Sequence, residues 1–599
     1  MSSRAPWRTS SQISSQQNGH PKQTGDQGQT GDQKATGNSK QPGSVKNRSR
    51  APGIVGALTY LVGFADIFTG LGIGWLHRLH PLTDILPGAV EAASAATVVA
   101  GILLLLLAHA LRRRKRRAWR AAVALLAVSV ALHSVRFDFV QLVMAFVVLS
   151  ALILYRSEFR ALGDPRTRWR AVRVFLVLSA ASVAVGVILE ALLRHRVVGG
   201  PPSLLAIGQE VVLGLVGFNG PLVFRPHRLN DLNDSMLTGL GLMTAITTIY
   251  LALRAPEPRP ELTDADEASM RSLLQESPDS LGYFNLRHDK SVIWSESGKA
   301  AVAYRVVSGV MLASGDPLGD PEAWGGAMTS FLREAERHAW TPAVIGCSER
   351  AGKIWCRLSG FSALELGDEA VVEVETFSLD GRPMRNVRQM VKRIERAGYT
   401  TEIVRAGDVS EGERRRALID AAAWRGTQTE RGFSMALGRL MDPADPDCVF
   451  VVARQDGIMR AFLQFVPWGS DGMSLDLMRR DRNAESGVNE LLIVEALRAC
   501  PSLGIKQVSL NFAVFRSTLE RGERLGAGPL LRGWRRVLLF ASRWFQIESL
   551  YRFNAKFQPT WVPRFIVYPG ARDIPRIVVA ALEAEAFLTW PSLRRLSGA

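Results

Sequence analysis

Apolar and polar positions divide the 599-residue chain into three regimes. Residues 1–50 are Ser, Gln, Gly, Asn and Thr with almost no large apolar side chains, a composition that cannot bury enough surface to offset chain entropy. They predict a disordered tail carrying eight Lys/Arg and two Asp. From 51 to 254 long apolar runs dominate, and a membrane-crossing helix needs about 20 such residues to traverse roughly 30 Å of hydrocarbon. Six candidates stand out: 53–76, 89–111, 118–134, 139–155, 172–193 and 236–253. The third and fourth are short, with Arg136 and Asp138 marking the turn between them. Gln209 and Glu210 interrupt 203–218, which reads as re-entrant or interfacial. The apolar stretch begins only at Gly53, so it is not a signal peptide.

The loops between these runs carry the orientation signal, because short cytoplasmic loops are enriched in Lys/Arg. The second and third runs are joined by RRRKRRAWR, and the fourth and fifth by a second basic stretch. Both predict a cytoplasmic side that, with six spans, also holds the N-terminal tail and the C-terminal half. Asp66 and Glu190 lie inside apolar runs, where an ionisable group costs at least about 2.5–3.5 kcal/mol. Asp66 reads equally as a polar path or headgroup site and as a carboxyl paired within the bundle; pairing or snorkelling suits Glu190 better.

Past a Pro- and acid-rich linker (255–269) the periodicity changes to short strands alternating with helices. AAVAYRVVSGVMLASGDP reads as two strands broken at Ser308-Gly309, PEAWGGAMTSFLREAERHAW as an amphipathic helix, VVEVETFSL as a strand and MRNVRQMVKRIERAGY as a basic helix. The pattern recurs as a hairpin around Asp456-Gly457, the strand MSLDLMRRD, the helix SGVNELLIVEALRAC and the strand KQVSLNFAVF. The expected fold is therefore multi-domain: an α-helical transmembrane bundle of about six spans (51–254), then a cytoplasmic α/β region holding two copies of one unit, 270–403 and 404–599, each with a mixed sheet.

Composition agrees with a membrane part joined to a globular part. The chain is 47% apolar with 22% charged residues and a formal charge of +17, yet its mean hydropathy is +0.06. A wholly disordered chain is excluded. Four Cys, all in the second half and without a CxxC pair, exclude a disulfide scaffold and predict reduced thiols.

Neither a GxxxxGK[ST] loop nor an HExxH helix is present, and no metal site is expected. His288 and His338 are the only globular histidines and form no triad with a nucleophile. Three clusters could carry chemistry. In SLDLMRRD an ideal strand puts Asp476 and Met478 on one face and Leu475, Leu477 and Arg479 on the other. The following SGVNELL can open a helix whose free N–H groups suit an anion or carbonyl, or it is a plain helix cap. The second cluster is DGRPMRNVRQMVKRIERAGY, where Arg385 and Arg388 belong to a basic density suited to phosphate backbones or to a solvated face. The third is 531–546, where Leu531, Trp534, Leu538, Ala541 and Phe545 form a stripe opposite Arg535, Arg536 and Arg543. With Trp544, this predicts a helix lying in the surface of an anionic membrane, the alternative being a packing helix with a solvated basic side.

Taken in order, LASGDPLGDPEAW, GFSALELGDEAVVEVETFSLDGRPMRNVRQ, RGFSMALGRL, LDLMRRD, GVNELL, SLNFA and SLYRFNAKFQPTWVPRFIVYP resemble the C-terminal domain of the aminoacyl-phosphatidylglycerol synthases, the phosphatidylglycerol lysyltransferase (multiple peptide resistance factor) family. The matching stretches span 269–569, about half the chain. The resemblance implies two tandem acyltransferase-like (GNAT) folds and transfer of an aminoacyl group, lysyl or alanyl in type, from aminoacyl-tRNA to a hydroxyl of phosphatidylglycerol, with no cofactor. It places the family's Asp-x-x-Arg pair on Asp476 and Arg479, its acidic helix position on Glu490 or the neighbouring Asn489, and its late Lys on Lys556. Asn511 and Arg552 are further candidate substrate contacts in the matching stretches.

Ester exchange needs little driving force, so positioning and oxyanion stabilisation suffice. Asp476 is expected to orient or deprotonate the lipid hydroxyl and Arg479 to hold a phosphate. Glu490 would meet the aminoacyl ammonium, and Lys556 a phosphate or the oxyanion. For Asp476 and Arg479 to share a site, the strand must end or bulge near Met478. The six expected spans are fewer than those of synthases fused to a lipid flippase, and the chain is not expected to carry the lysyl-tRNA synthetase module that some relatives carry after this domain. Two other readings stay open: a catalytically degenerate membrane scaffold or flippase-associated protein, and a GNAT-type enzyme with another acceptor. An acyl-CoA enzyme needs an (R/Q)-x-x-G-x-(G/A) turn, which RNAESGVNE matches poorly. A homo-oligomer is compatible with all of these.

Overall fold

The structure, a computed structural model, describes residues 51–70 and 87–588 apart from 113, 137, 160–164, 219, 226–227, 254–257, 259, 261, 427–429, 431 and 515–546. The expected tail (1–50) and the expected membrane-surface residues Trp534, Arg535, Arg536, Arg543 and Trp544 lie outside the described residues.

The N-terminal region contains α1 (Ala51–Gly70), α2 (Pro87–Arg112), α3 (Arg116–Arg136), α4 (Phe139–Leu154), α5 (Pro165–Leu193), α6 (Leu204–Val216) and α7 (Arg228–Leu253). Close approach of α1 and α2 is permitted by glycine on both: a Cβ on Gly63 would stand 2.8 Å from the Gly101 carbonyl oxygen, and one on Gly101 2.6 Å from that of Gly63. Among the described residues only Ala51–Thr69 and Val172–Arg196 are long and apolar enough to cross a membrane. Thr97–Arg112, Phe139–Leu154 and Leu204–Val216 are apolar but shorter, so two of the six expected spans meet this measure among the described residues.

The globular region holds α8 (Asp264–Leu274), α9 (Trp324–His338), α10 (Glu349–Ser359), α11 (Arg385–Arg396), α12 (Glu411–Arg425), α13 (Val488–Leu503), α14 (Ile547–Ala555) and α15 (Ile574–Ala584). Its strands are β1 (Ser291–Trp294), β2 (Ala300–Val307), β3 (Val310–Ser314), β4 (Leu318–Gly319), β5 (Thr341–Cys347), β6 (Ser362–Glu373), β7 (Tyr399–Arg405), β8 (Val449–Gln455), β9 (Ile458–Trp468), β10 (Gly472–Arg480), β11 (Gln507–Val514) and β12 (Thr560–Tyr568). The expected hairpins form at both turn signals: Val307 pairs with Val310 across Ser308-Gly309, and Gln455 with Ile458 across Asp456-Gly457. All four turn residues have φ between 48° and 78°, as two-residue primed turns require. The amphipathic helix appears as α9, burying Trp324, Ala327, Met328, Phe331 and Ala335.

The expected repeat is present. In each half an antiparallel meander (β1-β2-β3; β8-β9-β10) is followed by a helix (α9; α13) and a strand parallel to the last of the meander (β5 beside β3; β11 beside β10). The halves do not separate where the sequence puts the boundary. Residues 403 and 404 are neighbours within β7, which pairs along its length with β8. All strands form one sheet, in the order β1-β2-β3-β5-β12-β6-β11-β10-β9-β8-β7 with β4 on β2. The late strand β12 thus lies between two strands of the first half, β5 and β6.

A buried polar cluster fastens this junction. Arg564 of β12 donates to Glu369 of β6 through Nε (2.8 Å), to Asp279 (2.7 Å) and to the Ser280 hydroxyl (2.6 Å). Ser509 of β11 donates to Glu369 at 2.5 Å. Breaking such a fully paired network by removing one partner would leave a charge buried without compensation.

Candidate active site

The two faces of the β8–β11 half are covered differently. Val449, Val451, Leu463, Phe465, Met473, Leu475 and Met478 pack toward α11 and α13, while Phe450, Val452, Phe462 and Leu477 pack toward α12. The switch between Leu475 and Leu477 is a β-bulge. Leu475 pairs with Phe465 and Leu477 with Gln464, leaving Asp476 as the extra residue. The bulge places Asp476, Leu477 and Arg479 on the α12 side, where all three line one cavity of about 390 Å³. Asp476 and Arg479 are therefore brought together as expected, by a bulge at Asp476 itself rather than at Met478.

The Asp476 carboxylate accepts from the Leu437 N–H through Oδ1 (2.7 Å) and from Gln464 Nε2 through Oδ2 (2.7 Å). Gln464 is itself fixed, donating to the Arg439 carbonyl (3.0 Å) and accepting from the Met441 N–H (2.9 Å). Desolvation pushes the Asp476 carboxyl up to about 6, with the bonds from Leu437 and Gln464 pulling the other way. A carboxyl held there is ionised at neutral pH and basic enough to take a proton from a bound hydroxyl. Arg479 donates from Nη2 to Glu430 Oε1 at 2.8 Å. Glu430 Oε2 accepts from Arg425 Nη1 at 2.6 Å.

Glu490 and Lys556 meet each other instead. Lys556 Nζ is 2.7 Å from Glu490 Oε1, with the carboxyl nearly buried and the ammonium partly exposed over the Phe553 ring. Neither residue lines the Asp476 cavity. Glu490 lies in the first turn of α13, whose N-cap Gly487 has φ 113°. A Cβ there would come within 2.4 Å of the Met390 Cγ and Sδ, so glycine alone lets the two helices meet at this point. A buried carboxylate in that turn is a poor neighbour for the diphosphate of an acyl-CoA, which disfavours the acyl-CoA reading. Asn489 is half-buried beside Glu490, and its Oδ1 finds no donor among the described residues.

β10 and β11 are paired only through Gly472–Ser474 and Gln507–Ser509. Beyond Ser509, β11 has its own irregularity against β6, and Asn511 stands at φ 69°. Its Nδ2 donates to the Leu475 carbonyl (3.1 Å) and the Met435 carbonyl (2.8 Å), bridging the parting strands. Asn511 thereby positions the backbone on either side of Asp476. The basic helix is observed as α11, with Arg385 exposed on it. Arg388, expected to bind substrate, donates from Nη1 to the Leu379 and Gly381 carbonyls and closes its own loop. Arg552 is exposed on α14.

Sequence reasoning passed over Gln464, Arg425 and Glu430. The signal for Gln464 was a single amide inside the apolar run AFLQFV. Arg425 and Glu430 had none, since only folding sets α12 against β10. In the N-terminal helices, Asp66 is paired within the bundle: His133 Nε2 lies 2.9 Å from Oδ1, and Ser129 donates to Oδ2 at 3.0 Å. Glu190 accepts from Asn233 at 2.8 Å. All four Cys are free, and burial pushes the Cys500 thiol up to about 12.

Residues 271–568 match the model of the phosphatidylglycerol lysyltransferase C-terminal family, and residues 47–250 match the transmembrane region of lysyl-tRNA synthetase. The chain is therefore a membrane protein. It is 46% identical over 441 residues to the lysylphosphatidylglycerol biosynthesis bifunctional protein LysX of Mycobacterium avium, covering 72% of this chain and 37% of that one. The LysX protein of Rhodococcus opacus is 43% identical over 456 residues, covering 76% and 40%. This chain thus spans well under half the length of these relatives. Among solved structures, L-PGS from Bacillus licheniformis aligns over 56% of this chain and 99% of its own, at 19% identity and a TM-score of 0.48. On the match over 271–568 and the identities to the two LysX proteins, the region from Arg271 to Tyr568 belongs to the aminoacyl-phosphatidylglycerol synthase family.

Proposed function

We propose that the chain transfers an aminoacyl group from aminoacyl-tRNA to phosphatidylglycerol, as the names of its relatives suggest for lysine. The observation that carries this reading is the bulge that sets Asp476 and Arg479 on the wall of one cavity. Asp476 accepts the proton of a glycerol hydroxyl as its oxygen attacks the aminoacyl carbonyl carbon. Arg479 holds the lipid phosphate. The tetrahedral intermediate collapses by breaking the bond to the tRNA ribose oxygen, which leaves with the proton, and the aminoacyl ester passes to the lipid. The step consumes one ester and makes another, and no cofactor enters it.

The basic loops 112–120 and 155–173 support an orientation in which the multi-pass N-terminal region places the globular region on the cytoplasmic side, where aminoacyl-tRNA is available. The net charge of +17 supports the same two anionic partners, tRNA and acidic lipid. The test is lipid analysis of membranes bearing the chain and supplied with labelled lysyl- or alanyl-tRNA. Labelled phosphatidylglycerol that disappears on RNase treatment is expected. Its absence with every aminoacyl-tRNA, or undiminished label in Asp476→Asn or Arg479→Ala, removes the assignment.

A further inference from the structure

Two guanidinium groups reach the same carboxylate at the cavity mouth. Arg425, in the last turn of α12, approaches Glu430 Oε2 at 2.6 Å, and Arg479, on β10, approaches Oε1 at 2.8 Å. Two cations against one anion leave one net positive charge, which matches the single negative charge of a phosphodiester. Each carboxylate oxygen takes one guanidinium, the way two non-bridging phosphate oxygens would be taken. The Nε–H of Arg425 is buried and finds no acceptor among the described residues. All three side chains keep contact with solvent, at 37%, 37% and 25% exposure for Arg425, Glu430 and Arg479. Ion pairs that exposed are individually weak and can be exchanged.

We propose that Arg425 and Arg479 form a two-armed clamp for the phosphodiester of the acceptor headgroup, and that Glu430 fills the clamp until that phosphate displaces it. The inference rests on the transfer reading above and extends it by naming the second arm and the internal occupant. The lipid is favoured over the tRNA backbone because Asp476, which must meet the acceptor hydroxyl, lines the same cavity. Its other walls include Leu418, Ala421 and Leu477, which suit a short glyceryl chain better than a nucleotide. The phosphate and the reacting hydroxyl of phosphatidylglycerol are separated by three carbons, so one small cavity can serve both.

The experiment titrates the full chain in detergent micelles with glycerophosphoglycerol, the deacylated headgroup, by calorimetry. In parallel, transfer kinetics are measured on vesicles of phosphatidylglycerol in phosphatidylcholine. Arg425→Ala is expected to weaken headgroup binding and raise the KM for lipid by about tenfold or more, leaving the KM for aminoacyl-tRNA in place. Arg425→Lys restores part of the loss. Glu430→Gln, which removes the occupant's charge, is expected to tighten headgroup binding and lower the lipid KM several-fold. A carboxylate that only props the arginines gives the opposite sign, so weaker binding in Glu430→Gln overturns the proposal. A change confined to the KM for aminoacyl-tRNA overturns it as well, since the clamp would then be an RNA contact. If the variants shift headgroup binding as stated but no aminoacylated lipid forms, the transfer reading fails and the clamp stands. If lipid is made and neither variant moves binding or KM, the clamp fails and the transfer reading stands.

Discussion

Gln464 donates from Nε2 to the Asp476 Oδ2 oxygen at 2.7 Å, across the point where β10 carries one residue more than β9. The bulge and the amide act together: one turns the carboxyl into the cavity and the other holds it there. A base set this way must show itself in the pH dependence of the reaction. Desolvation places the carboxyl at about 6, so kcat/KM for the lipid acceptor should rise with pH through about 6 and level above it. Gln464→Leu removes a donor to the ionised form and should move that midpoint to higher pH. A midpoint that stays put or falls in this variant speaks against Asp476 as the base.

Arg385 and Arg388 should respond in opposite ways, although both sit on one basic helix. Arg388 caps carbonyls of its own loop, so Arg388→Ala should lower the thermal midpoint, by about 1–2 kcal/mol of stability, and leave tRNA binding unchanged. Arg385 is exposed, and Arg385→Ala should leave stability unchanged. If tRNA lies along this helix, the same variant lowers the slope of log affinity against log salt by about one. Salt titrations of both variants separate these outcomes.

The Glu490–Lys556 pair is open to a double-variant cycle. Lys556→Met leaves a carboxylate that is 10% exposed without its ammonium and should cost about 1–3 kcal/mol. Adding Glu490→Gln should return part of that loss, because the uncompensated charge is gone. Thermal unfolding of the two single variants and the double checks this, and strict additivity means the pair is not coupled.

Glycine at 487 and at 504 bounds the same helix, yet the two should differ in tolerance. Both have positive φ, but an added Cβ at 504 meets nothing, while at 487 it strikes Met390. Gly504→Ala should cost about 1 kcal/mol in backbone strain alone. Gly487→Ala should cost clearly more and disturb Glu490, which the thermal midpoints of the two variants compare directly.

Much of the globular fold was legible because it is written locally. The turn residues Ser308-Gly309 and Asp456-Gly457 carry their own backbone preference, and α9 declares its buried face by spacing. The repeated unit followed from those elements in order. The site was only partly legible. Asp476 and Arg479 came from a motif, but their union depends on a bulge that neither residue encodes, and the partners Arg425, Glu430 and Gln464 arrive from 51, 46 and 12 residues upstream of Asp476. For Arg388, the basic run showed charge density but not that its Nη1 already serves the Leu379 and Gly381 carbonyls. Of the six expected spans, those at the start of the region and at 172–193 coincide with helices long and apolar enough to cross a membrane. Nothing local could have announced β12 between β5 and β6, since strand order is set by pairing across the whole domain.

That late insertion has a bearing on biosynthesis. As the chain leaves the ribosome, β5 and β6 both present unpaired edges, and nearly 200 residues separate the end of β6 from the strand that closes them. Until residue 568 is made, those edges are open to wrong partners. β12 is thus the keystone of the sheet.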